Sequence, residues 1–341
     1  MSEPLLEVKD LSVSFATEDG TVRAVDGVSF GLERGKVLGI VGESGSGKSV
    51  TAMTLMGLTR GVNARFGGEV LYNGTNLLEV SDRAMQTYRG SELGMIFQDP
   101  MTSLNPVYRI GEQIVEAIRA HEKIGKAAAR RRAIELLHQV GIPNPESRVD
   151  NFPHEFSGGM RQRAMIAIAL SCNPSILIAD EPTTALDVTI QAQIVDLIST
   201  LKDEFQSSVI FITHDLGVIA EIADEILVMY AGRVVEQGTK RDIFYDPQMP
   251  YTWGLLGSIP RLDRPRVKRL HTIKGMPPSL INPPEGCRFR PRCPHAFEKC
   301  AEEPVLESRV DAPGHLDRCW LTVDEKRARR DATISPTTEA A

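Results

Sequence analysis

An α/β fold is predicted, with a mostly parallel core sheet, an N-terminal antiparallel β subdomain and a helical subdomain. Three observations predict it. Short continuous apolar runs alternate with helical stretches, the first thirty-odd residues alternate apolar and polar, and one long internal segment is helical without strands. Strands that alternate with helices imply a parallel sheet covered on both faces.

Residues 5 to 34 ("LLEVKDLSVSF", "VRAVDGVSFGLE") read as antiparallel strands around a Glu-Asp-Gly turn. "KVLGIV" is a buried strand that runs into glycines and the helix-like "SVTAMTLMGL". "LGMIFQD" is the next strand. From about residue 105 to 172 the periodicity is helical in "IGEQIVEAIRAH", "KAAARRRAIELLHQVG" and "GGMRQRAMIAIALS". "SILIAD", "SVIFIT" and "EILVMY" return to buried strands, separated by "TIQAQIVDLISTLKDEF" and "LGVIAEIA". After about residue 245 the periodicity fades and Pro becomes frequent, and a second unit is expected from about 294.

The 341 residues suffice for two domains, or for one large domain with an appendage. A net charge of −6 argues against a nucleic-acid binder that works through a broad basic face. No run approaches the ~18 apolar residues of a membrane span; "AMIAIALSCNPSILIA" is broken at Asn173-Pro174. The acidic start "MSEPLLEVKD" has no signal-peptide core, so a cytoplasmic protein is expected, where disulfides are disfavoured. The basic "KAAARRRAIELLHQ" reads as the solvated face of a helix and "RLDRPRVKRL" as a linker with potential for anionic headgroups. Cys172, at the end of an apolar helix, reads as a buried small hydrophobe.

The run Gly42, Glu43, Ser44, Gly45, Ser46, Gly47, Lys48, Ser49 matches G-x-x-x-x-G-K-[ST]. Glycines let backbone N–H groups turn inward around phosphates, Lys48 reaches the β and γ oxygens, and Ser49 ligates Mg²⁺. The following helix points its N-terminus at the anion. A Gly-rich turn is the ordinary alternative, but the strand before and the helix after are those the phosphate loop requires. In "SILIADEP", Asp180 and Glu181 emerge at the C-terminal end of a buried strand, where α/β ligands sit. Asp180 suits the Mg²⁺ shell and Glu181 the polarisation of an attacking water. Alone, the pair reads equally as an acidic helix start, and His214 alone reads as a structural strand-end histidine.

With "EFSGGMRQR" 23 residues before the acidic pair and "TTALD" directly after it, the sequence resembles the ATP-binding-cassette ATPases. The order is a phosphate loop at Gly42, a Q-loop glutamine at Gln98, a signature at Ser157-Gly158-Gly159, Asp180-Glu181, a D-loop at Asp187 and a switch histidine at His214. The resemblance implies the P-loop ATP-binding-cassette fold, and two such domains facing head to tail with each ATP between one phosphate loop and the partner's signature. It further implies that Gln98 contacts Mg²⁺ and couples to a membrane partner, that His214 holds the γ-phosphate, and that Phe15 stacks on adenine. Met160 stands where the general family has Gln; the Ser and both glycines remain.

"FQDPMTSLNPVYRIGEQI", "NFPHEFSGGMRQRAMIAIAL", "HDLGVIAEIADEILVMYAGRVVEQG" and "GMPPSLINPPEGCRFRPRCPHAF" bring the resemblance closer, to the ATPase subunits of bacterial dipeptide/oligopeptide importers, which include nickel importers. It implies a cassette over 1–250 with its helical subdomain at about 100–172 and an importer-type extension over 251–325; the chain's end, with "ATISPTTEAA", reads by itself as a disordered tail over 326–341. It also implies two transmembrane permease subunits, a second, paralogous ATPase, an extracytoplasmic substrate-binding protein, and a peripheral place on the cytoplasmic face of the membrane without nucleic acid. The alternatives are nickel as cargo, or a soluble cassette ATPase acting on ribosome or DNA.

Cys287, Cys293, Cys300 and Cys319 are separated by five, six and eighteen residues. Zinc sites favour paired C-x₂₋₄-C knuckles, and looser spacing suits a four-thiolate iron–sulfur cluster. The importer resemblance implies a 4Fe–4S cluster; Zn²⁺ or unligated thiols are the alternatives. Arg288, Arg290, Arg292 and His295 are placed to offset thiolate charge.

Overall fold

The structure is a computed structural model and describes residues 4–184, 186–259, 272–308 and 312–334. The "RLDRPRVKRL" linker lies outside the described residues, as does the end of the chain after residue 334.

Eleven strands are described: β1 (Leu6–Thr17), β2 (Gly20–Leu32), β3 (Val37–Val41), β4 (Ala64–Tyr72), β5 (Thr75–Asn76), β6 (Leu93–Ile96), β7 (Ile176–Asp180), β8 (Ser208–Thr213), β9 (Glu225–Tyr230), β10 (Arg233–Thr239) and β11 (Leu316–Asp317). They form two sheets. The antiparallel one has the order β2-β1-β4-β5, and the larger one runs β11-β10-β9-β3-β8-β7-β6. Its central pairs β3–β8, β3–β9, β7–β8 and β6–β7 are parallel, and β10 and β11 are added antiparallel at one edge.

Every residue of β3, β7 and β8 is buried, as a parallel strand covered on both faces requires. Successive side chains divide between two cores. Leu38 and Ile40 pack with Val8, Val13 and Val70 under the antiparallel sheet. Val37 and Val41 pack on the other side with Ile110, Ile114 and Leu137 of the helical region. That region carries helices Ile110–His121, Lys126–Gln139 and Gly158–Ala169 between β6 and β7. No helix among the described residues is long and apolar enough to cross a membrane.

The C-terminal stretch is not the separate unit that its fading periodicity predicted. β11 pairs with β10, so the extension is an edge of the cassette's own sheet. Tyr251 and Phe289 pack on Tyr230 at the end of β9, with ring centroids 4.7 and 5.3 Å away. The tail also differs from the disorder expected over 326–341: residues Val323–Ile334 form a helix. Thr322 and Glu325 cap it reciprocally, each side chain accepting from the other's backbone N–H. Lys326 on its first turn is fully buried and donates to Asp317 Oδ2 at 2.7 Å.

Candidate active site

The C-terminal ends of β3 and β7 and the start of the chain after β8 open on one cleft of about 1050 Å³, lined among others by Phe15, Gly42, Lys48, Ser49, Gln98, Glu181 and His214. Strand ends of one parallel sheet deliver these side chains together although they are far apart in sequence.

The phosphate loop leaves β3 at Gly42, whose φ is 154°; a Cβ there would sit 2.2 Å from Met229 O. Gly47 caps the helix Lys48–Leu55 with φ 102°, and a Cβ would meet Ala24 O at 2.4 Å. Only glycine fits either position. Lys48 is 4% exposed and donates to Gly42 O (2.8 Å) and Glu43 O (3.0 Å). Burial pushes its ammonium below the usual lysine range, opposed by the charges of Glu181, Asp180 and Glu43. Ser46 Oγ is buried in the same loop without a hydrogen-bond partner. An orphaned hydroxyl and a desolvated ammonium beside glycines that bar side chains are a fit for phosphate oxygens.

Ser49 Oγ donates to Asp180 Oδ1 at 2.9 Å. Burial raises the Asp180 carboxyl above its ordinary value, and the neighbouring Glu181 raises it further, against the Ser49 hydrogen bond and Lys48. A buried carboxylate joined to a hydroxyl is a donor set suited to a hard divalent cation. Glu181 takes φ 47° while its N–H bonds to Ile212 O, which turns its carboxylate back over the cleft. Gln98 Nε2 and Thr184 Oγ1 both donate to Glu181 Oε2, at 3.2 and 2.9 Å, and His214 Nδ1 stands 3.4 Å from the same oxygen. Thr184 was not singled out from sequence, although "TTALD" was quoted; its hydroxyl is one turn from Glu181.

Among the described residues that line the cleft, none is Ser157, Gly158, Gly159 or Asp187. Ser157 caps the helix Gly158–Ala169 by accepting from Met160 N–H, and Asp187 caps Val188–Phe205 by accepting from Ile190 N–H. Both caps are exposed. Cys172, half-buried, sits 3.7 Å from Ala117 O with its thiol pushed up by burial.

Arg290 favours the Cys287 thiolate as expected, but the other two arginines between the cysteines correct the expectation. Arg292 forks onto Glu43 of the phosphate loop, at 2.6 and 3.0 Å, and Arg288 pairs with Asp26; their charges are neutralised there and are not assigned to thiolates. The extension also enters the cleft itself through Leu255, Ser258, Ile273, Pro277 and Leu280. Pro277 and Leu280 belong to the stretch that carries the importer resemblance, but nothing in it signals a place in the cleft.

Cys287, Cys293, Cys300 and Cys319 line one hollow of about 10 Å³, roughly the space of a single water. No group of three or more His, Cys, Asp or Glu that could hold a metal ion occurs among the described residues, contrary to the four-ligand set expected from spacing. Burial lifts the Cys287 thiol, and lifts Cys293 to about 11 and Cys319 to about 12. Backbone N–H groups of Phe289 and Arg290 nevertheless aim at Cys287, of His295 at Cys293 and of Leu321 at Cys319.

Comparison with known proteins follows the same division. The family described as "ABC transporter" matches residues 25–184, and "Oligopeptide/dipeptide transporter, C-terminal region" matches 235–300. The chain is 55% identical over 319 residues to the oligopeptide transport ATP-binding protein OppD of Bacillus subtilis, covering 93% of this chain and 88% of that one. It is 54% identical over 321 residues to OppD of Salmonella typhimurium (94% and 95% covered) and to the dipeptide transport ATP-binding protein DppD of Lactococcus lactis (94% and 91%). Among solved structures, a dimeric ATP-binding cassette bound to ADP and Pi superposes with TM-score 0.63 at 26% identity, covering 69% of this chain and 99% of that one. With a phosphate loop, an acidic strand end and an extension that all match, the chain belongs to the ATP-binding-cassette transporter family, in the branch that carries the oligopeptide/dipeptide transporter C-terminal region.

Proposed function

We propose that this chain is the ATP-hydrolysing subunit of a membrane importer and that the cargo is di- or oligopeptide. One observation carries the reading: Lys48, Ser49, Asp180, Gln98, Glu181 and His214 converge around a single cleft, in a chain whose relatives are named peptide transport ATP-binding proteins. Bound ATP with Mg²⁺ would supply a phosphoanhydride whose γ-phosphoryl is transferred to water. Lys48, now on the loop carbonyls, would donate to the phosphate oxygens, and Ser49 with Asp180 would hold the cation. Glu181, held by Gln98, Thr184 and His214, orients and deprotonates the water. The exposed N-termini at Ser157-Gly158-Gly159 and the Asp187 cap serve the nucleotide of a second, paralogous ATPase, since helix N-termini favour anions and these do not reach their own cleft.

The remaining partners are two transmembrane permease subunits and an extracytoplasmic binding protein, which makes this chain peripheral to the cytoplasmic face of the membrane. Gln98 lines the cleft, and the short helix Pro100–Ser103 that follows it in the chain, where Met101 is 59% exposed, is suited to coupling with a permease helix. The cysteine hollow holds a 4Fe–4S cluster. Its support is the donor set: four thiols share one hollow, and amide N–H groups aimed at sulfur stabilise thiolates far better than thiols.

The test is reconstitution of the complex in proteoliposomes. Peptide supplied with its binding protein should stimulate ATP hydrolysis and be taken up. Stimulation by Ni²⁺ alone would move the cargo to nickel, and co-sedimentation with polysomes and not membranes would overturn the importer. Anaerobically purified protein should be brown with about four irons per chain; one zinc per chain in colourless protein would replace the cluster with a zinc clamp.

A further inference from the structure

Glu43 is the first variable residue of the phosphate loop, and three separate groups hold it. Its backbone N–H donates to Tyr251 Oη at 2.8 Å. Its carbonyl accepts from the Lys48 ammonium at 3.0 Å. Its carboxylate takes both terminal nitrogens of Arg292, at 2.6 and 3.0 Å. Two of the three come from the C-terminal extension, 208 and 249 residues away in sequence.

Arg292 is itself fully committed. Its side chain is 5% exposed, and it also donates to Tyr230 Oη (3.3 Å), to Lys274 O (3.0 Å) and to Ile273 O (3.4 Å). Ile273 lines the nucleotide cleft with Pro277 and Leu280. Leu280 O in turn accepts from Arg23 N–H of β2 at 2.9 Å, so the segment straps across to the antiparallel sheet. A planar guanidinium that satisfies a carboxylate and two carbonyls at once fixes geometry as well as charge.

We propose that Arg292 is a positioning residue for ATP: through Glu43 it holds the phosphate loop and the Lys48 ammonium in place, and through Ile273 it holds one wall of the nucleotide cleft. The extension is then a structural part of the ATP site and not an appendage to it. The consequence follows from charge. Glu43 lies within electrostatic reach of Lys48. With Arg292 present, its carboxylate is neutralised. Without Arg292, a bare carboxylate competes with the phosphates for the same ammonium and repels them. This reasoning rests on the ATP site of the proposed function, but on neither its peptide cargo nor the iron–sulfur cluster.

The experiment measures binding of a fluorescent ATP analogue, and steady-state hydrolysis, with the full-length chain in its reconstituted complex. Arg292→Ala should weaken ATP binding about tenfold and raise the KM for ATP accordingly. The kcat at saturation should stay within about twofold, since Glu181, Gln98 and His214 are untouched. Arg292→Lys, a point charge without the fork, should lose less. On a Glu43→Ala background, Arg292→Ala should cost clearly less, leaving only the part carried through Ile273. A merely structural staple would cost the same on both backgrounds and would appear in thermal unfolding. Should Arg292→Ala fail to fold, Arg292→Lys and Tyr251→Phe, which keeps the ring and removes only the hydroxyl, decide the matter with a few-fold weakening each. Unchanged affinity in the folded variants, equal losses on both backgrounds, or a fall in kcat at constant KM would overturn the proposal. Lys48→Ala serves as the control: if it binds ATP as tightly as the parent, the ATP site is at fault and not the clamp.

Discussion

The nucleotide cleft and the cysteine hollow each gather four or more reactive side chains, yet they are built on different principles. The cleft's groups stand on the ends of strands that the parallel sheet fixes whether or not a ligand is bound, and they already touch: Ser49 with Asp180, Gln98 and Thr184 with Glu181. The hollow's thiols hang on 3₁₀ turns at Arg290–Arg292 and Glu298–Ala301 and on the strand-edge segment after β11. They line a space about the size of one water, and burial pushes the Cys287, Cys293 and Cys319 thiols up. A site carried by a sheet is ready before its ligand arrives. A site carried by turns depends on its ligand for its shape.

The largest effect should fall on the ready site. Glu181→Gln keeps the hydrogen bonds from Thr184 and Gln98 but removes the base, and turnover should fall about 10²- to 10⁴-fold while ATP still binds. Measured single-turnover hydrolysis close to the parent rate would mean that another group deprotonates the water, and the contrast between the two sites would lose one side.

The next largest tests the ligand-dependent site. Cys293→Ser should reduce iron from about four per chain to nearly none and expose the extension to limited proteolysis. ATP should still bind, with any weakening smaller than that of Arg292→Ala. Full retention of iron and of protease resistance would show that the hollow does not need a centre to hold its turns.

Most of the first site was legible, and so were the four cysteines of the second, but the pairings that tie the extension to the cassette were not, for a physical reason. Phosphate chemistry needs particular residues at fixed local spacing, so Gly42 to Ser49 and Asp180-Glu181 stand out in a linear text. The left-handed turn at Glu181 and the hydroxyl of Thr184 refine that site without being visible in it. The extension's role depends on pairings that no local pattern records. β11 has only two residues, too few for an alternation, and Arg292 meets Glu43 across 249 positions. Arg292 looked like a counter-charge for thiolates because its sequence neighbours are cysteines. The helix Val323–Ile334 carried a readable signal, Thr322 three residues before Glu325, but it runs into the end "ATISPTTEAA", which reads as disordered.

A smaller effect, on stability, separates what the ready site costs from what it does. Asp180 has a raised carboxyl pKa in the folded chain because it is buried. The folded state therefore binds this proton more tightly than the unfolded state, and stability without nucleotide should fall as pH rises through the folded value. Asp180→Asn keeps an oxygen for the Ser49 hydroxyl and removes the buried charge. In a thermal melt without nucleotide it should match or exceed the parent at neutral pH, and the gain should vanish toward acid, while Mg²⁺-dependent hydrolysis is lost. A neutral-pH melting point below the parent's would show that the Asp180 charge is stabilised locally before any cation binds.

The smallest effect lies where the two regions join. His315, on the turn into β11, has its ring 2.9 Å from Glu236 Oε1 of β10, and both side chains are almost fully buried. Burial opposes its protonation, but the Glu236 hydrogen bond and the charges of Glu236, Asp242 and Asp317 prevail and raise its pKa above the ordinary histidine value. Lys326 neutralises Asp317 from the C-terminal helix and leaves Glu236 as the main partner. A raised histidine pKa contributes stability that is complete below the unfolded value of about 6.5 and is lost as pH rises through the folded value. Glu236 also accepts from the Met249 N–H at 3.2 Å, so the same carboxylate anchors the helix Pro250–Gly257 that leads to Tyr251. Raising the pH should therefore loosen the extension before the cassette: hydrogen exchange around Leu316–Asp317 should accelerate through this range while β3 and β7 stay protected. His315→Gln should keep a neutral donor and flatten the response, with a loss of about 1 kcal/mol at acid pH. Acceleration of β3 at the same pH would mean that the two regions unfold as one, and that the division between a sheet-built site and a turn-built site is not a division in stability.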